Sequence, residues 1–268
     1  MKNFLGNLRI QQGVVILSAM LVSMQAWAGN VGPGHDTSTA ARARPSLMAR
    51  GGAEAPQFVP DQEDQPEMFG RTYGEWSASW VQWSEAGPVG QNAITDETGA
   101  FCDTNQPSRN VWFLGGAFAP HIGVDRSCTI PHDRALFYPL YEWNWIDCPG
   151  TADEALSDAE VRATLAGLTD LAGRVTSTLD GVAISSLQVL TVRTQSPRFR
   201  SILPDNSVIA NGCSPPLLGG KTSRRFVDGY WVMLPPLSPG VHTLTLHGGS
   251  LGFDENGVTY HLTVLDKK

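Results

Sequence analysis

The chain has 268 residues, among them 28 glycines and 18 prolines; 41% are hydrophobic, 17% are charged, and the formal net charge is −7. Glycine and proline together exceed the roughly 12% of an average chain, which argues against a coiled coil or helical bundle and for a turn-rich globular protein. The acidic balance, with a pI near 5.3, disfavours nucleic acid and anionic lipid as partners, since both are met by clustered lysine and arginine.

Residues 1–28 read as a secretory signal peptide. Lys2 and Arg9 give the positive start, GVVILSAMLVSM over 13–24 gives the apolar stretch, and Ala26-Trp27-Ala28 gives a small-x-small cleavage pattern before Gly29. The apolar run of about a dozen residues is short against the roughly 20 that span a bilayer, and no later segment approaches that length. Cleavage leaves 240 residues with a net charge of −9. The expected location is the periplasm or the extracellular space. Residues 29–67 lack a hydrophobic period and read as a flexible leader, leaving 68–268 as one folded domain.

A helix is predicted over 72–85. Thr72 and Glu75 form a T-x-x-E capping box, Trp76, Trp80 and Trp83 fall on one helical face, and Gly87-Pro88 ends the run. These three indoles form either an aromatic platform for a flat ligand such as a sugar ring or a stripe packed on a sheet, the latter being the commoner use of helical spacing. Strands are predicted over 110–118 and 134–141, and a second helix over 158–175, opened by a capping box of Ser157 and Glu160. Further strands fall at 182–192, 226–234, 241–246 and 258–265. The last alternates cleanly, with Val258, Tyr260, Leu262 and Val264 on one face. Short strands, Gly/Pro turns and two helices predict a mostly β, antiparallel sandwich of jelly-roll type as a single domain.

The four cysteines, Cys102, Cys128, Cys148 and Cys213, all follow the leader. An even count in an exported chain favours disulfides, with three pairings open. Cys102 with Cys128 would bracket the apolar run 110–118, and Cys148 with Cys213 would tie two loops; this is the predicted pairing. No cysteine or histidine spacing suits a metal, the histidines 121, 132, 242, 247 and 261 being scattered, and no cofactor motif is present.

Two constellations invite chemistry. Gly248 to Gly252 matches G-x-S-x-G around Ser250, but the residues after it read as turn and strand rather than the helix of a nucleophile elbow, so Ser250 is expected to be dispensable. The stretch Tyr141 to Asp147, with His132 upstream, offers Glu142 and Asp147 as weak catalytic carboxylates and Trp143 and Trp145 as ligand-contacting aromatics, the usual furniture of a carbohydrate site.

Three stretches together, YGEWSASWVQW (73–83), GAFCDTNQPSRNVWFL (99–114) continued by CTIPHDRALFYPL (128–140), and DGYWVMLPPLSPGVHTLTLHGG (228–249), resemble a widespread group of exported bacterial proteins of no established activity. The resemblance implies an exported, mostly β protein with cysteines near positions 102 and 128, and it carries no catalytic residues across. The leading expectation is a non-catalytic, exported β-sandwich that binds a ligand or a surface partner, with a carbohydrate or a cell-envelope component as the candidate partners. The rivals are an exported hydrolase acting on a glycan or ester and a structural envelope protein.

Overall fold

Both capping boxes form in the computed structural model, which describes residues 57–58, 67–107, 109–117, 123–249 and 256–267. The predicted signal peptide, most of the leader, His121 and Ser250 lie outside the described residues. Helix α1 spans Tyr73–Ala86; the Glu75 N–H donates to Thr72 Oγ1 at 3.2 Å and the Thr72 N–H donates to Glu75 Oε2 at 2.9 Å. Helix α2 spans Asp158–Thr169, opened by the same reciprocal pair of Ser157 and Glu160. It stops six residues short of the predicted end. Past Thr169 the chain exposes Leu171, and the Gly173 N–H turns to donate to Gly249 O at 2.8 Å, which leads the backbone into the next strand.

Ten strands build two sheets: β1 Gln57–Phe58, β2 Val111–Phe113, β3 Val124–Ile130, β4 Ala135–Ile146, β5 Thr176–Leu179, β6 Val182–Ala183, β7 Thr191–Gln195, β8 Arg225–Leu234, β9 Gly240–Gly248 and β10 Asn256–Val264. The front sheet has the order β1-β7-β8-β4-β2 and the back sheet β3-β10-β9-β5-β6. The fold is the expected mostly β sandwich with two helices, but the pairing is mixed. The central ladders are antiparallel, whereas β1–β7, β2–β4 and β3–β10 are parallel. The predicted strand at 182–192 is two strands split by a 3-10 turn at Ile184–Leu187, where Gln188 adopts a left-handed φ of 60°. Among the described residues of the predicted 110–118 strand, only 111–113 pair in a sheet, and Gly115-Gly116 follow after Leu114. Strand β3 hides in the sequence because one of its inward positions is Arg126, whose guanidinium is buried and hydrogen-bonded to the carbonyls of Ile94, Asp96, Gly115 and Gly116.

Alternation explains how the layers meet. On β8 the even positions Val232 and Leu234 join Leu136, Tyr138 and the inward residues of β9 and β10 in the core between the sheets. Phe226, farther along the same face, packs with Tyr141, Trp143 and Trp145 under α2. The odd positions Val227, Trp231 and Met233 face α1 and meet Trp76, Trp80 and Trp83. Trp231 stacks on Phe137 with ring centroids 5.2 Å apart and takes the edge of Trp80 at 5.5 Å. Two disulfides close the loops, Cys102–Cys128 and Cys148–Cys213, in the predicted pairing.

One irregularity positions the site. Tyr230 pairs with Tyr141 but Trp231 pairs with Pro139, so Leu140 is an extra residue in β4, a β-bulge. Before it, odd residues of β4 face α1; after it, even residues do. The bulge therefore turns Glu142, Asn144 and Ile146 toward the α1 side and Tyr141, Trp143 and Trp145 toward α2. The back sheet touches the bulge directly: a Cβ on Gly248 would lie 1.7 Å from Leu140 O. That close approach is the structural use of the first glycine in the G-x-S-x-G match.

Candidate functional site

The five tryptophans that could have formed a stacking platform are core residues. Trp76, Trp80, Trp83, Trp143 and Trp145 are all buried, and each indole N–H is already engaged. Trp76 donates to Met68 O at 2.8 Å, Trp80 to Leu114 O at 2.9 Å, Trp83 to Thr104 O at 2.9 Å, Trp143 to the Tyr141 hydroxyl and Trp145 to Asp147 Oδ1 at 2.7 Å. Trp76, Trp80 and Trp83 thus hold the chain at Met68, Leu114 and Thr104 to α1, while Trp143 and Trp145 pack from β4 under α2.

The weak catalytic trio is also not brought together. Asp147 is buried in an ion pair with Arg224, whose guanidinium also bonds Asp158 at 2.9 Å and the carbonyls of Leu156 and Asp153. Asp147 thus pins the end of β4 to the start of α2. His132 lies in the turn before β4; Ala135 and Glu142 alone are separated by about 23 Å of strand at roughly 3.3 Å per residue. The remaining described histidines do not converge either. His242 bonds Asp180 at 2.8 Å, a contact that raises its pKa, while His247 and His261 point outward from their strands.

Glu142 stands apart. It lines a solvent-open cleft between α1, the bulged part of β4 and the back sheet. Trp80, Ser84 and Glu85 form the helix wall; Ile94, Ala117, Ile209, Leu246 and Val258 form the apolar remainder. Opposite Glu142 on β8 sits Gly229, where a Cβ would come within 2.6 Å of both Glu142 Cβ and Tyr141 O, so the strand carries no side chain there.

A buried charge network frames the cleft, and it was not anticipated from the sequence. Arg225 is fully buried. It donates to Glu85 Oε1 at 2.7 Å and Oε2 at 2.5 Å, to Asn144 Oδ1 at 2.6 Å, to Trp145 O at 3.0 Å and to Ser201 Oγ at 3.3 Å. These contacts use all five donors of the guanidinium. Glu142 receives only the Asn144 amide, at 3.3 Å to Oε2, and among the described residues its Oε1 has no hydrogen bond. Burial, only partly offset by the Asn144 amide, pushes the Glu142 carboxyl up to about 8, and the charge of Glu85 adds to the rise while Arg225 opposes it. A faint signal existed in the sequence. Arg225 has the parity of Val227 and Trp231, and Glu85 lies four residues after Val81, the most deeply buried face of α1.

Compared with family models, curated proteins and solved structures, the chain matches none.

Proposed function

We propose that this is an exported, non-catalytic ligand-binding β-sandwich whose site is the cleft between α1 and the bulged part of β4. Export is supported by the tripartite pattern of residues 1–28 and by two disulfides, which persist in oxidising compartments. The observation that carries the binding reading is the environment of Glu142: a carboxyl in a largely apolar cleft, one of whose oxygens accepts no hydrogen bond among the described residues. Apolar walls with a small number of placed polar groups are the general character of small-molecule sites. The hydrolase reading draws support from the same acid, which would be protonated near neutrality as a general acid must be. It lacks a second group, since Glu85 is held through both oxygens by Arg225 and Asp147 is held by Arg224. Burial of the tryptophans also moves the expected ligand away from a sugar stacked on indole and toward a small molecule with an apolar body.

Trp80 and Trp143 border the cleft, so occupancy should alter intrinsic fluorescence. Titration with soluble oligosaccharides and with four- to six-carbon alcohols, carboxylates and amines should give a saturable change for one class. Ala117→Trp, at a partly buried position in the cleft wall, should weaken that response at least tenfold in a variant whose cooperative unfolding shows that it is folded. No saturable response, or one indifferent to the Ala117 change, would contradict the cleft as the site. Turnover of an ester or glycan that vanishes in Glu142→Gln would replace the binding reading with the hydrolase.

A further inference from the structure

The geometry points to a small organic cation, an ammonium group carried on a short apolar body, as the ligand class of the cleft, held by the open carboxyl oxygen of Glu142. This inference rests on the cleft being the binding site and adds the chemistry that fills it.

Charge balance in this solvent-open cleft selects the ligand. Glu85 from α1 and Glu142 and Tyr141 from β4 line it, Arg225 from β8 is buried beside the two acids, and Arg126 is tied to the carbonyls of Ile94 and Gly116 in its wall. The remaining walls, Ile94, Ala117, Ile209 and the back-sheet residues Leu246 and Val258, contribute none. Arg225 neutralises Glu85 through a two-pronged contact and has no donor left over. An ionised Glu142 would therefore be the uncompensated charge of the set, with one oxygen unmatched. Glu142 is half-buried, with Oε1 open to the cleft, and the desolvation it does undergo favours its neutral form in the free protein. An alkylammonium provides what is missing: a full positive charge, N–H donors for Oε1, and a chain to cover the apolar walls. An anionic ligand would bring in a negative charge that no cation is left to meet, since the donors of Arg225 are all engaged. A neutral hydroxyl would gain one hydrogen bond without correcting the charge.

Because only the ionised acid is competent, the apparent affinity scales with the fraction ionised. With the carboxyl at about 8, affinity for a permanently charged amine should rise about tenfold per pH unit from 5.5 to 7.5 and level off above about 8.5. Alkylammonium ions stay charged through this range, with pKa values near that of lysine at about 10.4. Near pH 7, binding should release about 0.9 proton per site, the fraction of Glu142 then protonated.

The test uses the mature protein with n-butylammonium chloride, n-butanol and sodium butyrate as probes, followed by tryptophan fluorescence and by calorimetry in buffers of different ionisation enthalpy. At pH 8.5, n-butylammonium should bind at least tenfold more tightly than n-butanol, and butyrate should not compete. Its affinity should fall as the pH is lowered, with the stated proton release. Glu142→Gln should remove both the preference and the pH dependence. Equal binding of n-butanol and n-butylammonium, or no proton release in the unmodified protein, would overturn the cation inference while leaving the cleft as a site for neutral ligands. Failure of all three probes to give a response sensitive to Ala117→Trp would remove both the cleft reading and this inference.

Discussion

Replacing Arg225 with methionine should lower the free energy of unfolding by about 3–5 kcal/mol, the usual cost of leaving one partner of a buried ion pair alone. Methionine matches the length of the alkyl stem, so the change removes charge and donors more than volume. It strands Glu85, which is 1% exposed, and leaves Asn144 Oδ1 and Trp145 O without their donor. The pair joins α1 to β8 across 140 residues of sequence, so its loss loosens the helix that forms one wall of the cleft. Combining Arg225→Met with Glu85→Gln should cost less than the sum of the two single changes by about 2 kcal/mol, since the double variant carries no buried charge at this point. Urea unfolding of the four proteins supplies the cycle. Additive effects, or an Arg225→Met cost under about 1 kcal/mol, would mean the pair is solvated in the folded protein.

Changing Cys148 and Cys213 together to serine should cost about 4 kcal/mol on the loop-entropy model, which scales with the logarithm of the loop closed. The bridge spans 65 residues, against 26 for Cys102–Cys128, for which the same model gives about 3.5 kcal/mol. The 148–213 bridge also sits in its own apolar cluster with Ile146, Leu203 and Ile209, so two buried sulfurs leave that packing as well. Ile209 lines the cleft, and ligand response should weaken along with stability. At about 2–4 °C per kcal/mol for a domain of this size, the midpoint should fall by roughly 10 °C. A larger loss from the Cys102/Cys128 double change would show that packing, rather than loop length, sets the order.

Local signals carried much of this architecture. The two capping boxes could be read because each needs only four residues, and β10 could be read because its alternation is uninterrupted. The end of α2 could not, because Leu165 and Leu168 keep the helical period while Gly173 is drawn off by a carbonyl 76 residues away, that of Gly249. The bulge at Leu140 was invisible for a related reason. A run such as FYPLYEWNW shows apolar and polar letters but not which neighbour they pair with, and one extra residue exchanges the two faces. Of the candidate site residues, Glu142 was legible as an acid among aromatics. Its companions Glu85, Asn144 and Arg225 were not grouped with it, since two of them are brought in by other elements and buried charges resemble surface charges in a linear reading. The tryptophans drew attention by their number, and the sheet absorbs them.

The most direct measurement of the central claim, an acid kept neutral in the free protein, is the titration of the Glu142 side-chain carboxyl by carbon-13 NMR, assigned by the loss of its signal in Glu142→Gln. A carboxyl whose folded-state pKa lies above its unfolded value stabilises the fold fully at low pH, and that contribution is lost as the pH rises toward the folded value. Unfolding free energies should therefore favour Glu142→Gln increasingly over the unmodified protein between pH 4.5 and about 8. The account predicts a midpoint at about 8, moving down when n-butylammonium is present. A midpoint near the ordinary 4.5, unmoved by the amine, would contradict it.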